Sequence, residues 1–240
     1  MHRHAGHFAL IAALAVAGCA TRPASDAQAF AKNTGRNSFE FADRKVKPQD
    51  TLVLPVIHDR QTEGPSCGAH ALASLINYWR GPGTIVGSEL YRAQPPVSPS
   101  GYSMAELMTL AAQQNLLASA VSIPEKGLIA ELEKGRPVLI PVRLPSIYVQ
   151  QVILPGGDVP VLGTARNFMI SRAAKASEWS KAGMVDHYLL VVGYEPGKFV
   201  VVEPVMGYRT ITAEKLERYR AAFQDAALVF SAEKAPSPTS

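Results

Sequence analysis

The chain has 240 residues, 47% of them hydrophobic, which is enough for a real core and excludes wholesale disorder. Its 24 basic and 20 acidic residues leave a formal charge of +4, and no Lys/Arg run concentrates it, so the electrostatic footprint of a nucleic-acid binder is absent. Only two cysteines occur, Cys19 and Cys67, and their surroundings differ completely.

Residues 1–18 read as an address. Arg3 and three histidines make a weakly basic start, and the apolar run from Phe8 through Ala17 is too short to span a bilayer but suits a signal-peptide core. The run ends in Val16-Ala17-Gly18-Cys19, which resembles a bacterial lipobox, in which the cysteine is acylated and becomes the mature N-terminus. Ala20 stands where an inner-membrane retention signal would place Asp, so the resemblance implies a lipid anchor in the outer membrane, facing the periplasm. With Cys19 acylated, Cys67 is the lone thiol in an oxidising compartment, and an unpaired cysteine there is a candidate reactive group.

Residues 19–50 read as a membrane tether, 51–231 as one folded domain, and 232–240, with Pro236 and Pro238, as a disordered tail. Thr51 to Ile57 reads as a strand. Gly68 to Trp79 reads as a helix, because Leu72, Leu75, Ile76 and Trp79 fall at i, i+3, i+4 and i+7; Gly81-Pro82-Gly83 stops it. Ser103 with Glu106 forms a capping box before Met104, Leu107, Met108 and Ala111. A short helix is expected from Pro124 to Gly135. Four strands are expected at Pro137–Val142, His187–Val192, Phe199–Val202 and Ala227–Phe230, and Thr212 caps a last helix carrying Leu216 and Tyr219. Between the first two strands, Ile147–Leu154 and Val159–Leu162 are expected to form an extra hairpin around Gly156-Gly157. Helices first and strands later imply an α+β domain with a mostly antiparallel sheet.

The chemistry gathers at Cys67. It starts the first helix, where unpaired N–H groups and the positive dipole end favour a thiolate. Gly64-Pro65 gives a tight turn ahead of it, and Gly68 is expected to leave room for a substrate carbonyl beside the sulfur. Gln61, six positions earlier, is a candidate oxyanion donor together with the Cys67 backbone N–H. Beyond the address segment three histidines remain: His58, His70 and His187. His187 leads a strongly apolar strand and is the expected base; His58, in a loop, and His70, one turn after Cys67, read as structural. Glu203 ends the neighbouring strand and is the expected orienter of the imidazole, whereas Asp186, adjacent in sequence, would face the other side of the sheet. Neither metal-ligand spacing nor a phosphate-binding glycine loop is present, so no metal and no cofactor are expected.

Gln61…Cys67-Gly68, then Asp186-His187-Tyr188 and Glu203-Pro204 resemble the bacteriocin-processing cysteine peptidases, family thirty-nine of the cysteine class. The resemblance spans most of residues 51–215. It implies a papain-like fold, N-terminal helices carrying the cysteine against a mostly antiparallel sheet, a Cys-His-Asp order, and hydrolysis of a peptide or protein substrate. Three departures stand out. The family's Asp-Pro is Glu203-Pro204, its Pro after Cys-Gly is Ala69, and the 145–186 segment is long. Neither a transporter segment nor an ATP-binding motif is read in the 240 residues, so the substrate of transporter-fused members is not expected to carry over. The alternatives are a non-catalytic binding or assembly lipoprotein on the same fold, and an acyl-transferring or murein-acting papain-like enzyme.

Overall fold

The computed structural model describes residues 52–62, 64–149 and 160–232. The address segment, Cys19, the tether and the C-terminal tail lie outside the described residues.

Element order is β1 (Leu52–Val53), α1 (Cys67–Arg80), α2 (Gly87–Ala93), α3 (Met104–Gln113), β2 (Leu116–Ser122), α4 (Glu125–Glu133), β3 (Val138–Pro145), α5 (Pro160–Ser180), β4 (Met184–Glu195), β5 (Lys198–Glu203), β6 (Gly207–Thr212), α6 (Ala213–Arg220) and β7 (Ala226–Ala232). All the described strand pairings are antiparallel. The strand order is β2-β7-β3-β4-β5-β6, with β1 beside β4. The architecture is α+β with an antiparallel sheet, as the order of sequence patterns implies.

β4 is the axis of the sheet. Its run from His187 through Val192 is wholly buried, which is why it reads as a continuous apolar stretch rather than an alternation. Helix α1 packs on it. Leu72, Leu75 and Ile76 of that helix are fully buried, while Trp79 lies at its half-buried end. The helix boundaries follow local chemistry. In the capping box of α3, Ser103 Oγ accepts from Glu106 N–H while the Glu106 carboxylate accepts from Ser103 N–H at 2.7 Å. Thr212 caps α6 by accepting from Lys215 N–H at 3.3 Å.

The expected 147–162 hairpin is corrected. Ser146–Tyr148 is a single 3-10 turn, and Pro160–Ser180 is a 21-residue helix; residues 150–159 lie outside the description. Pro160 suits a first helical position, and the Ala, Arg, Lys, Met and Glu content downstream is strongly helix-forming. Two strands, β2 and β6, and helix α2 come in addition to the expected elements. The strand expected at Thr51–Ile57 pairs with β4 only at Leu52–Val53, and Leu54 N–H then donates to Val192 O at 2.8 Å.

Gly193 sits where β1, β4 and β5 meet, at a register shift between β4 and β5. A Cβ there would stand 2.0 Å from the Leu52 carbonyl oxygen, a backbone atom that cannot swing aside. Gly193→Ala is therefore expected to push β1 off the sheet and to lower stability by about 1–3 kcal/mol, the usual cost of overpacking. Urea denaturation reads this; an unchanged midpoint would show that β1 contributes nothing.

Candidate active site

Three elements converge. Cys67 is the first residue of α1, His187 lies in β4, and Glu203 ends β5. Each is buried, with Glu203 at 0% exposure and His187 at 6%. His187 Nε2 lies 2.7 Å from Glu203 Oε1. An ionised carboxylate only accepts, so Nε2 carries the proton and Nδ1 is left for the thiol, with which the ring also hydrogen-bonds.

The Glu203 carboxylate is cradled. Its Oε1 also accepts from Val205 N–H at 3.0 Å, and its Oε2 from Met206 N–H at 2.6 Å. The turn after β5 wraps onto the side chain and absorbs the extra methylene relative to aspartate. These two backbone donors carry no side-chain signature, so the sequence pattern could not reveal them.

Electrostatics favour the charged pair. Burial is the largest influence on Cys67 and would raise its pKa. The charge and hydrogen bond of His187, with the backbone N–H groups of Tyr188 and Gly68, act the other way and leave it lowered. Burial likewise works against charge on His187, but the Cys67 charge and hydrogen bond, then Glu203, raise its pKa to about 10.

Gln61 is anchored beside Glu203 by its backbone, its N–H donating to Pro204 O at 2.8 Å. Its side-chain Nε2 donates to Gly64 O at 2.7 Å, and its Oε1 is buried without a hydrogen-bond partner. It is not among the residues lining the cleft over Cys67. That cleft, about 210 Å³, is lined by Tyr102, Met104, Pro141, Tyr188 and Phe223 around Cys67 and His187.

The other candidates separate. Asp186, next to His187 on β4, makes a bidentate pair with Arg143 across the β3–β4 ladder, at 2.6 and 3.1 Å, and also lines the cleft rather than bonding the imidazole. His70 is buried against Asp59 at 2.8 Å, a carboxylate that also accepts from Gly87 N–H at 2.6 Å. His58 is half-buried rather than a free loop residue: its Nε2 donates to Pro204 O at 2.8 Å, and burial lowers its pKa. The expectation for Gly68 is also corrected. A Cβ there would meet Leu107 and Tyr102 at 3.2–3.3 Å, so the glycine serves close packing of α1 on α3 rather than substrate room. No group of three or more potential metal ligands occurs among the described residues.

No protein-family profile matches the chain, and no curated protein matches it in sequence. Solved structures do match. A C39-like peptidase from Bacillus anthracis superposes with a TM-score of 0.51 at 14% identity, covering 77% of this chain and 98% of that one. A double-glycine motif protease from an AMS/PCAT transporter, solved in complex with a leader peptide, gives 0.46 at 18% identity over 76% and 95% of the two chains. The peptidase domain of Streptococcus ComA gives 0.47 at 12% identity over 77% and 99%. On the 0.51 superposition, the fold is the papain-like fold of C39-like peptidase domains. At such identities the likeness reaches the fold alone, and the chemistry rests on the residues just described.

Two outcomes follow from the geometry. A lowered Cys67 pKa means thiolate persists as pH falls, and it is lost only when pH drops through that lowered value. A raised His187 pKa means the imidazolium survives until pH rises through about 10. Iodoacetamide should therefore alkylate Cys67 well below pH ~8.5, where an ordinary thiol is protonated. In His187→Gln the half-maximal pH should move up to that ordinary range; identical profiles would exclude the pair. The second outcome concerns Glu203→Asp, which introduces the residue that the resemblance would place here. Here it should slow alkylation at pH 7 about 10–100-fold, because the cradle is set for the longer arm. A rate equal to the parent's would show that the turn follows the side chain.

Proposed function

We propose that the chain is a cysteine peptidase that cleaves a peptide or other amide bond through an acyl-enzyme on Cys67. One observation carries this reading: the Cys67–His187–Glu203 sequence of contacts, with Glu203 Oε1 at 2.7 Å from the imidazole, opens onto a cleft at the sulfur.

In this mechanism Cys67 is the nucleophile, and its thiolate attacks the scissile carbonyl carbon. The negative charge moves to the carbonyl oxygen, which accepts from the Cys67 backbone N–H at the free end of α1 and, once the Gln61 side chain turns from Gly64 O into the cleft, from its Nε2. His187 gives its Nδ1 proton to the leaving amine as the C–N bond breaks. The imidazole, now neutral, takes a proton from water, the hydroxide attacks the thioester, and the C–S bond breaks to return the thiolate. Glu203 stays on Nε2 throughout and holds the ring in the tautomer that can do this. The protein uses no metal or other cofactor in this scheme. An amine in place of water would make the same site an acyltransferase.

The same reading places the domain at the bacterial envelope, anchored through an acylated Cys19 in the outer membrane and facing the periplasm. Its support is the lipobox-like Val16-Ala17-Gly18-Cys19 at the end of an apolar run.

The acylation step is testable without knowing the substrate. Mixing the chain with p-nitrophenyl acetate should release a burst of p-nitrophenolate equal to the chain concentration, with the acetyl group on Cys67 by mass spectrometry after acid quench. Cys67→Ala should show no burst, and Gln61→Ala one slowed about 100-fold, the usual loss for an oxyanion donor. No burst in the parent would shift the assignment to a non-catalytic binding lipoprotein.

A further inference from the structure

Helix α5 carries a face that the peptidase chemistry does not use. Phe168, Arg172, Lys175 and Trp179 follow one another at i, i+4, i+7 and i+11, which at 3.6 residues per turn is a single stripe. All four are exposed, Phe168 at 47% and Trp179 at 89%, and the flanking Met169 is 64% exposed. The Arg172 guanidinium lies 5.6 Å from the Phe168 ring centre, so cation and aromatic share one surface. The opposite side of the helix is the packed one. Ala174 is fully buried there, and the single acid of the helix, Glu178, is turned inward, accepting from Tyr219 Oη at 2.5 Å and pairing with Lys215 at 3.4 Å. The outer stripe thus has two cations and two aromatic side chains, with Met169 on its flank, and no carboxylate.

We propose that this face of α5 lies on the surface of an anionic phospholipid bilayer, with Phe168, Met169 and Trp179 at the headgroup level and Arg172 and Lys175 on lipid phosphates. The composition matches what such a surface selects. Aromatic rings favour the membrane–water boundary, cations are attracted to anionic headgroups, and an inward-turned acid removes the repulsive term. Chain length permits it. The proposal rests on Cys19 as the anchor, and 32 residues separate Cys19 from β1. At about 3.4 Å per residue they reach up to roughly 110 Å, far more than the domain's own size.

The test uses the full-length chain with vesicles of phosphatidylglycerol or phosphatidylcholine, each with and without brominated acyl chains. Flotation reads the anchor, and quenching of tryptophan emission reads the face. Because Trp79 also emits, the part of the signal lost in Trp179→Phe is the part that belongs to α5. Brominated phosphatidylglycerol should quench that part and shift it to the blue, phosphatidylcholine should do so weakly, and Arg172→Glu/Lys175→Glu should reduce it at least about tenfold. These positions are exposed, and unchanged Cys67 alkylation confirms that the variant folds. A chain that floats with Trp179 unquenched overturns the face and leaves the anchor standing. A chain that does not float on either lipid overturns both. Quenching indifferent to lipid charge and to the reversed charges overturns it too, as does protection of Trp179 by cell-wall sacculi but not by vesicles.

Discussion

A fully buried carboxylate is the constraint on which the site depends. Glu203 has no exposed surface, and a charge in that position persists only if it is paired and hydrogen-bonded. The protein supplies three donors: the His187 imidazole and the N–H groups of Val205 and Met206. Because a carboxylate accepts and does not donate, this fixes the tautomer of His187 and turns Nδ1 toward Cys67. Removing one partner of such a buried pair typically costs about 3–5 kcal/mol, so the arrangement is also part of what holds β4 to β5 near their ends.

The turn that cradles Glu203 also governs the approach to Cys67. Pro204 lacks an N–H but keeps its carbonyl, which accepts from both the Gln61 backbone and the His58 ring, each at 2.8 Å. The loop entering α1 is thereby tied to the turn that holds the acid. On the far side of the cleft, Tyr188 Oη donates to Tyr102 O at 3.0 Å, linking the strand of His187 to the segment that leads into α3. The Asp59–His70 pair is instructive by contrast. It has a similar His–carboxylate distance of 2.8 Å, yet its acid is shared with Gly87 N–H and Asp59 N–H meets Ser74. Those bonds join the loop before α1 to α2, and no thiol is involved. A histidine on a carboxylate is common structural joinery; the sulfur is what distinguishes His187.

Much of this was legible in the sequence because local chemistry decided it. The capping pairs at Ser103/Glu106 and Thr212, the heptad-like spacing of Leu72, Leu75, Ile76 and Trp79, and the apolar run after His187 each specify an element within a few residues. Strand alternation separates Asp186 from His187, and the Arg143 pairing agrees with it. What escaped was set by tertiary contact. β2, Leu116–Ser122, pairs along its length with β7, and its small residues alternate too little to announce a strand. α5 hid because Gly156-Gly157 and the short apolar stretches around it suggested a hairpin, whereas the helix-forming composition begins only beyond them. The role of Gly68 was misassigned for a related reason: whether a missing side chain admits substrate or a neighbouring helix depends on what lies across from it, which the linear pattern does not contain. The two backbone donors to Glu203 have no sequence signal at all.

Burial is the largest single influence on both Cys67 and His187, and for each it opposes charge. Charge on either group is favoured because each is the other's counter-charge in a place where water supplies none. This makes the site cooperative: a change at either partner does more than halve the stabilisation, since the survivor is left with the full penalty of burial. The same dryness is what makes the pair useful. Screening is weak, so a small displacement of His187 by Glu203 is felt at the sulfur, and in the proposed reaction the cleft above Cys67 is the route by which a carbonyl would reach the sulfur. A glutamate in place of aspartate is therefore tolerable only if the backbone holds its longer arm still, and the two N–H groups of the 204–206 turn do that.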